Sequence, residues 1–511
     1  MTSWWESHRP QAPERHDLPP HAEVVVVGAG VAGLAVATEL VERGRDVQVL
    51  EARRPAVGTT GSSTAKATAL HGAGLTTVAR HHGAEGVRRY VAANLRGLEH
   101  LRRTVERLQL DCGWSTTYAT TFTTDPDRVD ELREEHRLGS DAGLALQWLD
   151  RLDELPVPVA GAVRLDEQAA IDPVALCAGL TRHLAEAGHA VTTGCRVFDV
   201  SRADDGSWEV RTSMGTVTAG AVVIATLLPV VDPTFEFAEA SPMMSHALAA
   251  TLRTEVPPGL HLGIDDPVRS IRPLGPGSRI GIFGGSGHRV GEGDPAAARD
   301  DLRSWVQDHF DVARIEAEWD AHDIVPADGV PSIGRTDDGE RPELGRFVAT
   351  GFKKWGFTHA GAAALLIADE LDGRSTEWAP PFDPRRHLPS AGAAAEVARG
   401  NLSVARHLVG DKIRTLRPPP VDQLQPGEGA IAEVDGTKVA AARRDDGTLV
   451  VRSATCTHLG CQVAWNGASS TWDCPCHGSR FDIDGSVLAG PATRPLGELG
   501  DDGPGDGEPP D

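Results

Sequence analysis

Residues 23–52, EVVVVGAGVAGLAVATELVERGRDVQVLEA, form a continuous apolar run, a glycine turn, an amphipathic stretch at helical spacing and a second apolar run ending at Glu51. That pattern predicts a βαβ unit. The next segment, RRPAVGTTGSSTAKATALHGAG, is too polar and aperiodic for regular structure and reads as a loop. Spacing then predicts one or two helices over 77–110, a strand at YATTFTT and a helix near 127–138. AIDPVALCAGLTRHLAEAGHAVTTGCRVFDVSR predicts a helix leading into a strand, and WEVRTSMGTVTAGAVVIAT a hairpin with a buried final strand. Alternation resumes over 246–285, DDLRSWVQDHF has helical spacing, and FVATGFKKWGFTHAGAAALLIADELDG repeats the order strand, glycine turn, helix. Proline-rich borders enclose a short helical stretch at 393–409, so 380–420 reads as a linker with a docking helix. From 421 to 499, short β segments (AIAEV, KVAAARR, LVVRS, STWDCP) alternate with Gly and Asp turns, the pattern of a small all-β domain. The acidic tail, 500–511, is expected to be disordered.

Composition narrows the function classes. The 511 residues include 50 Lys and Arg against 73 Asp and Glu, a net charge of −23 that argues against nucleic-acid binding. The length suits about three domains at roughly 150 residues each. No apolar run approaches the roughly 18 residues of a transmembrane helix, so no transmembrane span is expected. The amino terminus, MTSWWESHRPQAPERHDLPP, lacks a basic start and an apolar core, which leaves a cytoplasmic location as the expectation. Cys112, Cys177 and Cys195 are scattered, whereas Cys456, Cys461, Cys474 and Cys476 cluster near the carboxyl end, as metal ligands do.

In the first unit Gly28 permits the tight turn, Gly30 lets backbone approach a pyrophosphate, and Gly33 lets helix pack on strand, so the helix amino end faces the phosphates. Glu51 stands where a carboxylate accepts hydrogen bonds from a ribose diol, and an acid there disfavours a 2′-phosphate. This unit alone leaves FAD and NAD open. Near the carboxyl end, CTHLGC and CPCHGS place Cys456-X-His458 and, after 15 intervening residues, Cys474-X-X-His477 on two loops. Two thiolates and two imidazoles are a set that zinc could accept.

Those two glycine-containing loops inside a β domain more closely resemble Rieske ferredoxins, where two cysteines bind one iron and two histidines the other. The resemblance implies a 2Fe-2S cluster on Cys456, His458, Cys474 and His477. It also implies a disulfide between Cys461 and Cys476, as in higher-potential members, and a hydroxyl donor at Ser479. Phe481 departs from those proteins, in which tyrosine is usual. Over roughly 22–380, the glycine turn, the Glu51 strand, the AIDPVALCAGL helix, the VVIAT strand and the ATGFKKWGFTHAG turn resemble FAD-dependent oxidoreductases of the D-amino-acid-oxidase and glycine-oxidase superfamily.

That second resemblance implies an α/β FAD-binding (Rossmann-like βαβ) domain assembled from 22–80, 165–230 and 325–375. An antiparallel α+β substrate domain from 81–164 and 231–324 would be inserted in it, followed by the all-β Rieske domain. By position, Gly28, Gly30 and Gly33 would hold the pyrophosphate and Glu51 the adenosine ribose. Thr60, Ser62, Ser63 and Thr64 would lie along phosphates and flavin, and Val197 would meet adenine through its backbone. Gly351, Lys353, Lys354, Trp355, Gly356 and Thr358 would approach the pyrimidine edge of the isoalloxazine. Lys353 or Lys354 could offset negative charge at N1 of the reduced flavin, with ordinary solvation the competing reading for each. Trp355 reads as packing.

FAD accepts two electrons and a Rieske cluster passes one at a time, so a chain with both can split a pair. The expected function is oxidation of a small-molecule substrate, an amine or amino acid, at FAD, with single electrons passing through the cluster to an external acceptor protein. Reverse flow from an external donor, as in a Rieske-type ferredoxin reductase, and an electron-carrier or redox-sensing role are the alternatives. A Rieske non-haem oxygenase is excluded, because its two-histidine, one-carboxylate iron domain does not fit in the tail after His477. A ferredoxin reductase of the two-dinucleotide type would need a second glycine fingerprint, and GIFGGSGHRVGEG has neither the spacing nor a following helix. Arg272, in SIRPLG, could clamp a carboxylate, against the reading of a surface arginine. His71 could lie near the flavin, against the reading of a satisfied core histidine. No catalytic base is legible.

Overall fold

The computed structural model describes residues 3–8, 13, 15–231, 240–339, 341–386 and 420–498. The helix expected at 393–409 and the tail 500–511 lie outside them. The chain divides into a larger unit, residues 1–288 with 297–400, and a smaller one, 289–296 with 401–511.

In the larger unit the strand His21–Val27 lies between parallel neighbours, Val47–Leu50 and Gly215–Ile224. Val24 and Val26 pack on the side of the helices Val31–Glu42 and Gly356–Leu371. Val25 and Val27 pack on the side of the hairpin Val197–Arg202 and Trp208–Thr212. Burial on both faces explains the unbroken apolar run. Arg346–Thr350 adds a further parallel strand beyond Gly215–Ile224, and Ser332–Arg335 closes that edge antiparallel. Asp172 caps the helix Pro173–Glu186, accepting from the N–H groups of Val174 and Ala175, with Pro173 in the first turn.

A second sheet has the order Val312–Pro326, Ala240–Leu252, Ile280–Arg289, Arg269–Pro273, Leu260–Gly263, Ser115–Thr123, Gly161–Ala170, Lys66–Ala67. Gln147–Leu149 pairs beside Gly161–Ala170. The GIFGGSGHRVGEG stretch supplies one of these strands, Ile280–Arg289, not a nucleotide turn. The helical spacing over 77–110 resolves as Leu75–Arg107, with two helical stretches meeting at Gly83, whose φ of 66° and ψ of −174° break the regular path.

The smaller unit holds two antiparallel sheets. Gly429–Val434, Thr437–Arg443 and Leu449–Ser453 form one, and Ala464–Asn466, Thr471–Asp473, Arg480–Phe481 and Val487–Ala489 the other. Trp472 pairs with Phe481, and both are buried in one cluster with Cys456, Cys461, Cys474 and Cys476.

Candidate cofactor sites

The glycine turn connects the first strand to its helix, and its three glycines do different things. Gly28 has a φ of +104°, and a Cβ there would lie 2.7 Å from the Ala225 carbonyl oxygen. A Cβ on Gly33 would lie 1.9 Å from the Gly28 carbonyl oxygen. Those two are required by the turn itself. Gly30 is not: its φ is −77°, and an added Cβ would meet only Thr60 Oγ1, at 3.1 Å. The space over Gly30 is a cradle that a side chain would fill, at the amino end of Val31–Glu42, where a phosphate is favoured. Glu51 Oε2 accepts from Ala29 N–H (2.9 Å) and Oε1 from Arg53 N–H (2.8 Å), which fixes its carboxylate beside the turn. Burial pushes the Glu51 pKa up, and those two N–H donors pull against it. This geometry suits a dinucleotide such as FAD.

In the Ser/Thr loop, Thr60 Oγ1 accepts from Val31 N–H (3.1 Å) and Ser63 Oγ from Ala65 N–H (2.9 Å). The carbonyls of Ser62 and Ser63 take the indole N–H groups of Trp319 and Trp5. Thr64 Oγ1 accepts from Lys66 Nζ (3.0 Å), which also donates to Ser270 Oγ (3.1 Å). Burial, with the Arg272 charge in addition, lowers the Lys66 ammonium to about 7. Val197 is buried opposite Thr212, in the hairpin that covers the first sheet.

The 351–358 turn leads into Gly356–Leu371, with Gly351, Lys353 and Lys354 all at positive φ. Lys354 Nζ donates to Ser245 Oγ at 2.9 Å. Lys353 is half-buried; burial lowers its pKa, and the charges of Glu135 and Asp328 act in the opposite direction. Trp355 stacks on His71, with ring centroids 4.5 Å apart and planes 9° from parallel. Thr358 Oγ1 donates to Asn94 Oδ1 (2.7 Å). His71 is buried, with Nδ1 on Tyr90 Oη (2.8 Å) and Nε2 on the Thr68 carbonyl (2.8 Å).

Arg272 corrects both readings made of it. It is 1% exposed, and its guanidinium donates to the carbonyls of Thr64, Ala65, Ile171, Pro273 and Leu274. A guanidinium so engaged ties the Ser/Thr loop to the second sheet and is neither a surface group nor a clamp for substrate. Sequence reasoning missed Lys66: the polar segment that holds it reads as a loop, whereas Lys66–Ala67 forms a short strand paired with Ala169 and Ala170.

In the smaller unit the four ligand candidates sit on two facing loops. Cys456 N–H donates to the Cys461 carbonyl (2.8 Å), and Cys474 N–H to the Ser479 carbonyl (2.8 Å), which closes each loop on itself. A disulfide joins Cys461 to Cys476, and the Cys474 sulfur lies within 4.8 Å of both. The rings of His458 and His477 meet edge to face, 5.1 Å apart. Burial lowers the pKa of both histidines, that of His477 to about 4, so each is neutral, as an imidazole ligand must be. Ser479 Oγ is buried and accepts from Ala492 N–H (3.0 Å). A pair of thiols and a pair of neutral imidazoles on two bridged loops fits a Rieske cluster.

Residues 23–370 match the family model described as FAD dependent oxidoreductase, and residues 417–499 match that of the Rieske 2Fe-2S domain. YhfW of Bacillus subtilis (strain 168), named as a Rieske 2Fe-2S iron-sulfur protein, is 31% identical over 484 residues, 93% of this chain and 93% of its own. The cytochrome b6-f complex iron-sulfur subunit 2 of Trichormus variabilis is 49% identical over 70 residues, 13% of this chain and 38% of that one. Among solved structures, glycine oxidase from Geobacillus kaustophilus has a TM-score of 0.60 at 20% identity, covering 72% of this chain and 100% of that one. L-proline dehydrogenase from P. horikoshii has a TM-score of 0.58 at 18% identity, covering 72% and 98%. These two structural likenesses show the fold. Among the described residues, no helix is long and apolar enough to cross a membrane.

Proposed function

Because the chain belongs to the FAD dependent oxidoreductase family and carries a Rieske 2Fe-2S domain, we propose that it oxidises a small amine or amino acid at FAD and passes the electrons singly to an external acceptor protein through the cluster. When bound, FAD supplies a two-electron acceptor and the cluster a one-electron carrier. The observation that carries this reading is the presence of both sites in one chain, each with residues that fit its group. Glycine oxidase and L-proline dehydrogenase, whose names point to amino-acid substrates, support the substrate class.

In this reading the cradle over Gly30 receives the pyrophosphate, and Gly28 and Gly33 shape the turn beneath it. Glu51, held by Ala29 and Arg53, orients the adenosine ribose, and the backbone at Val197 lies at the adenine. Thr60, Ser62, Ser63 and Thr64 line one side of the cofactor. Gly351, Lys353, Lys354, Trp355, Gly356 and Thr358 form its pyrimidine side. Cys456, His458, Cys474 and His477 bind the cluster.

The test is anaerobic mixing with a panel of amines and amino acids, followed by addition of cytochrome c as acceptor. The wild type should bleach its flavin and reduce cytochrome c, whereas Cys474→Ser should bleach its flavin but leave cytochrome c oxidised. Equal acceptor turnover with and without the cluster refutes the proposal.

A further inference from the structure

The strand Val312–Pro326 carries a carboxylate that none of the roles above uses. Asp323 is 6% exposed. Thr59, from the Ser/Thr loop, donates its hydroxyl to the His322 carbonyl (2.7 Å), and Lys353 N–H, from the 351–358 turn, donates to the Ile324 carbonyl (3.1 Å). Both loops assigned to the flavin are therefore bonded to the backbone on either side of Asp323.

Strand register fixes which way it faces. Asp323 pairs with Met243 and Ala321 with Ser245, so these four share one face of the sheet, together with Trp319, whose indole reaches the Ser62 carbonyl. The opposite face carries His246 and Asp320, which bond each other, and Asp320 also accepts from Arg299 of the helix Pro295–His309. Asp323 thus lies on the face turned to the cofactor loop. Gly287 lies close by: an added Cβ would come 3.1 Å from Ser245 Oγ, 3.3 Å from the Met244 carbonyl oxygen and 3.6 Å from Lys354 Nζ, so a side chain there would crowd the Lys354–Ser245 pair.

Asp323 Oδ1 accepts from Ile324 N–H (2.8 Å), and the Lys354 N–H also draws on the carboxylate, while Oδ2 is buried without a hydrogen-bond partner of its own. Native proteins seldom leave such an acceptor unpaired, and a ligand that brings a donor removes the cost. The charged group facing it is Lys354, from the turn, whose ammonium is already engaged with Ser245. The paired strand contributes the apolar Met243 and the Ser/Thr loop the hydroxyl of Thr59. Burial raises the Asp323 carboxyl to about 6, against the pull of the Ile324 N–H, the Lys354 charge and the Lys354 N–H.

We propose that Asp323 is the amine-binding group of the substrate site, with Oδ2 accepting an N–H of the substrate ammonium and then its proton. This deepens the function proposed above and rests on its substrate class. In the proton step the N–H bond breaks and an O–H bond forms on Asp323, giving a neutral amine and a carboxylic acid with no change of oxidation state. The amine carbon then gives up a hydride, two electrons with one proton, to the flavin as oxidant and becomes an iminium carbon. The Lys354–Ser245 pair beside Asp323 is placed to meet a carboxylate when the substrate is an amino acid.

The experiment titrates the FAD-loaded full chain anaerobically with methylammonium, glycine and acetate, following the flavin absorption band. Both amines should perturb the wild-type band, with affinity falling on the order of tenfold per pH unit below about 6. Asp323→Asn, with FAD and cluster content measured in parallel, should weaken both amines at least roughly tenfold and spare acetate. Without any ligand, the wild-type flavin band should show a transition near pH 6 that Asp323→Asn lacks. Unchanged amine affinity in Asp323→Asn, no response of the wild type to either amine, or the same pH transition in both proteins overturns the proposal. A Cys474→Ser background should leave these binding results unchanged, so a failure of electron exit, seen only with an acceptor, is distinguishable from a failure here.

Discussion

Replacing Gly30 by alanine separates the folding of the glycine turn from its use. Gly30 has φ −77° and ψ −179°, extended backbone that alanine adopts, and the new Cβ would touch only Thr60 Oγ1, the end of a rotatable side chain. Alanine at a compatible position gains about 0.4–1 kcal/mol through the unfolded chain and loses about 0.5–1 kcal/mol at a helix N-cap, where glycine ranks well above it. The stability of the FAD-free protein should therefore change by less than about 1 kcal/mol. Gly33→Ala is the contrast: its Cβ would sit 1.9 Å from the Gly28 carbonyl oxygen, so helix and strand must separate. Such a clash costs typically 1–3 kcal/mol and sometimes more. Toward FAD the order reverses. The Gly30→Ala methyl fills the cradle and moves the pyrophosphate off the helix amino end, and losing one charge-assisted hydrogen bond, about 1.5–3 kcal/mol, weakens binding roughly 10- to 150-fold. Urea unfolding of the FAD-free proteins gives the first quantity, and quenching of FAD fluorescence on reconstitution the second. Wild-type FAD affinity in Gly30→Ala, or a stability loss equal to that of Gly33→Ala, refutes the placement of the phosphates.

Asp328 is buried, accepting from Arg386 Nε (2.8 Å) and His82 Nε2 (2.9 Å). Burial alone would raise its carboxyl, but the Arg386 charge and these bonds hold it well below the usual range. Its stabilisation is complete above the unfolded carboxyl's pKa of about 3.9 and is lost as pH falls through the lower folded value. Asp328→Asn should cost about 3–5 kcal/mol in urea unfolding at neutral pH, with the gap narrowing in acid; an unchanged midpoint contradicts this. In the smaller unit, the cluster potential should fall inside the Rieske range of roughly −150 to +300 mV but below its top. Voltammetry should find it raised by Phe481→Tyr, which adds a phenolic donor, and lowered by Ser479→Ala; an unmoved Phe481→Tyr value would show that this ring does not face the cluster.

The parts of the fold legible in the sequence are those fixed locally. Val24–Val27 read as a buried strand because both of its faces are covered, and the Cys and His spacings read as ligand loops because both members of each pair lie on one loop. What was not legible depends on distant partners. Trp5 lies under the Ser/Thr loop, its indole on Ser63, 58 residues away. Arg272 looked like a surface residue, yet the carbonyls it serves come from Thr64, Ala65 and Ile171, brought to it by the second sheet. Asp323 gained its setting from two loops that flank it only in the folded chain. The break at Gly83 could not be placed within a stretch that reads as one or two helices, because Gly86 and Gly97 stand in the same stretch without breaking it.

Electron passage from flavin to cluster is tested most directly by flash photoreduction of FAD in the anaerobic, fully loaded protein, with flavin and cluster absorbance followed separately. If electrons leave through the cluster, the reduced flavin should reoxidise in step with cluster reduction, at a rate independent of protein concentration, and Cys474→Ser should leave the flavin reduced. A cluster that stays oxidised beside a reduced flavin, or is reduced at a rate proportional to protein concentration, contradicts an internal path.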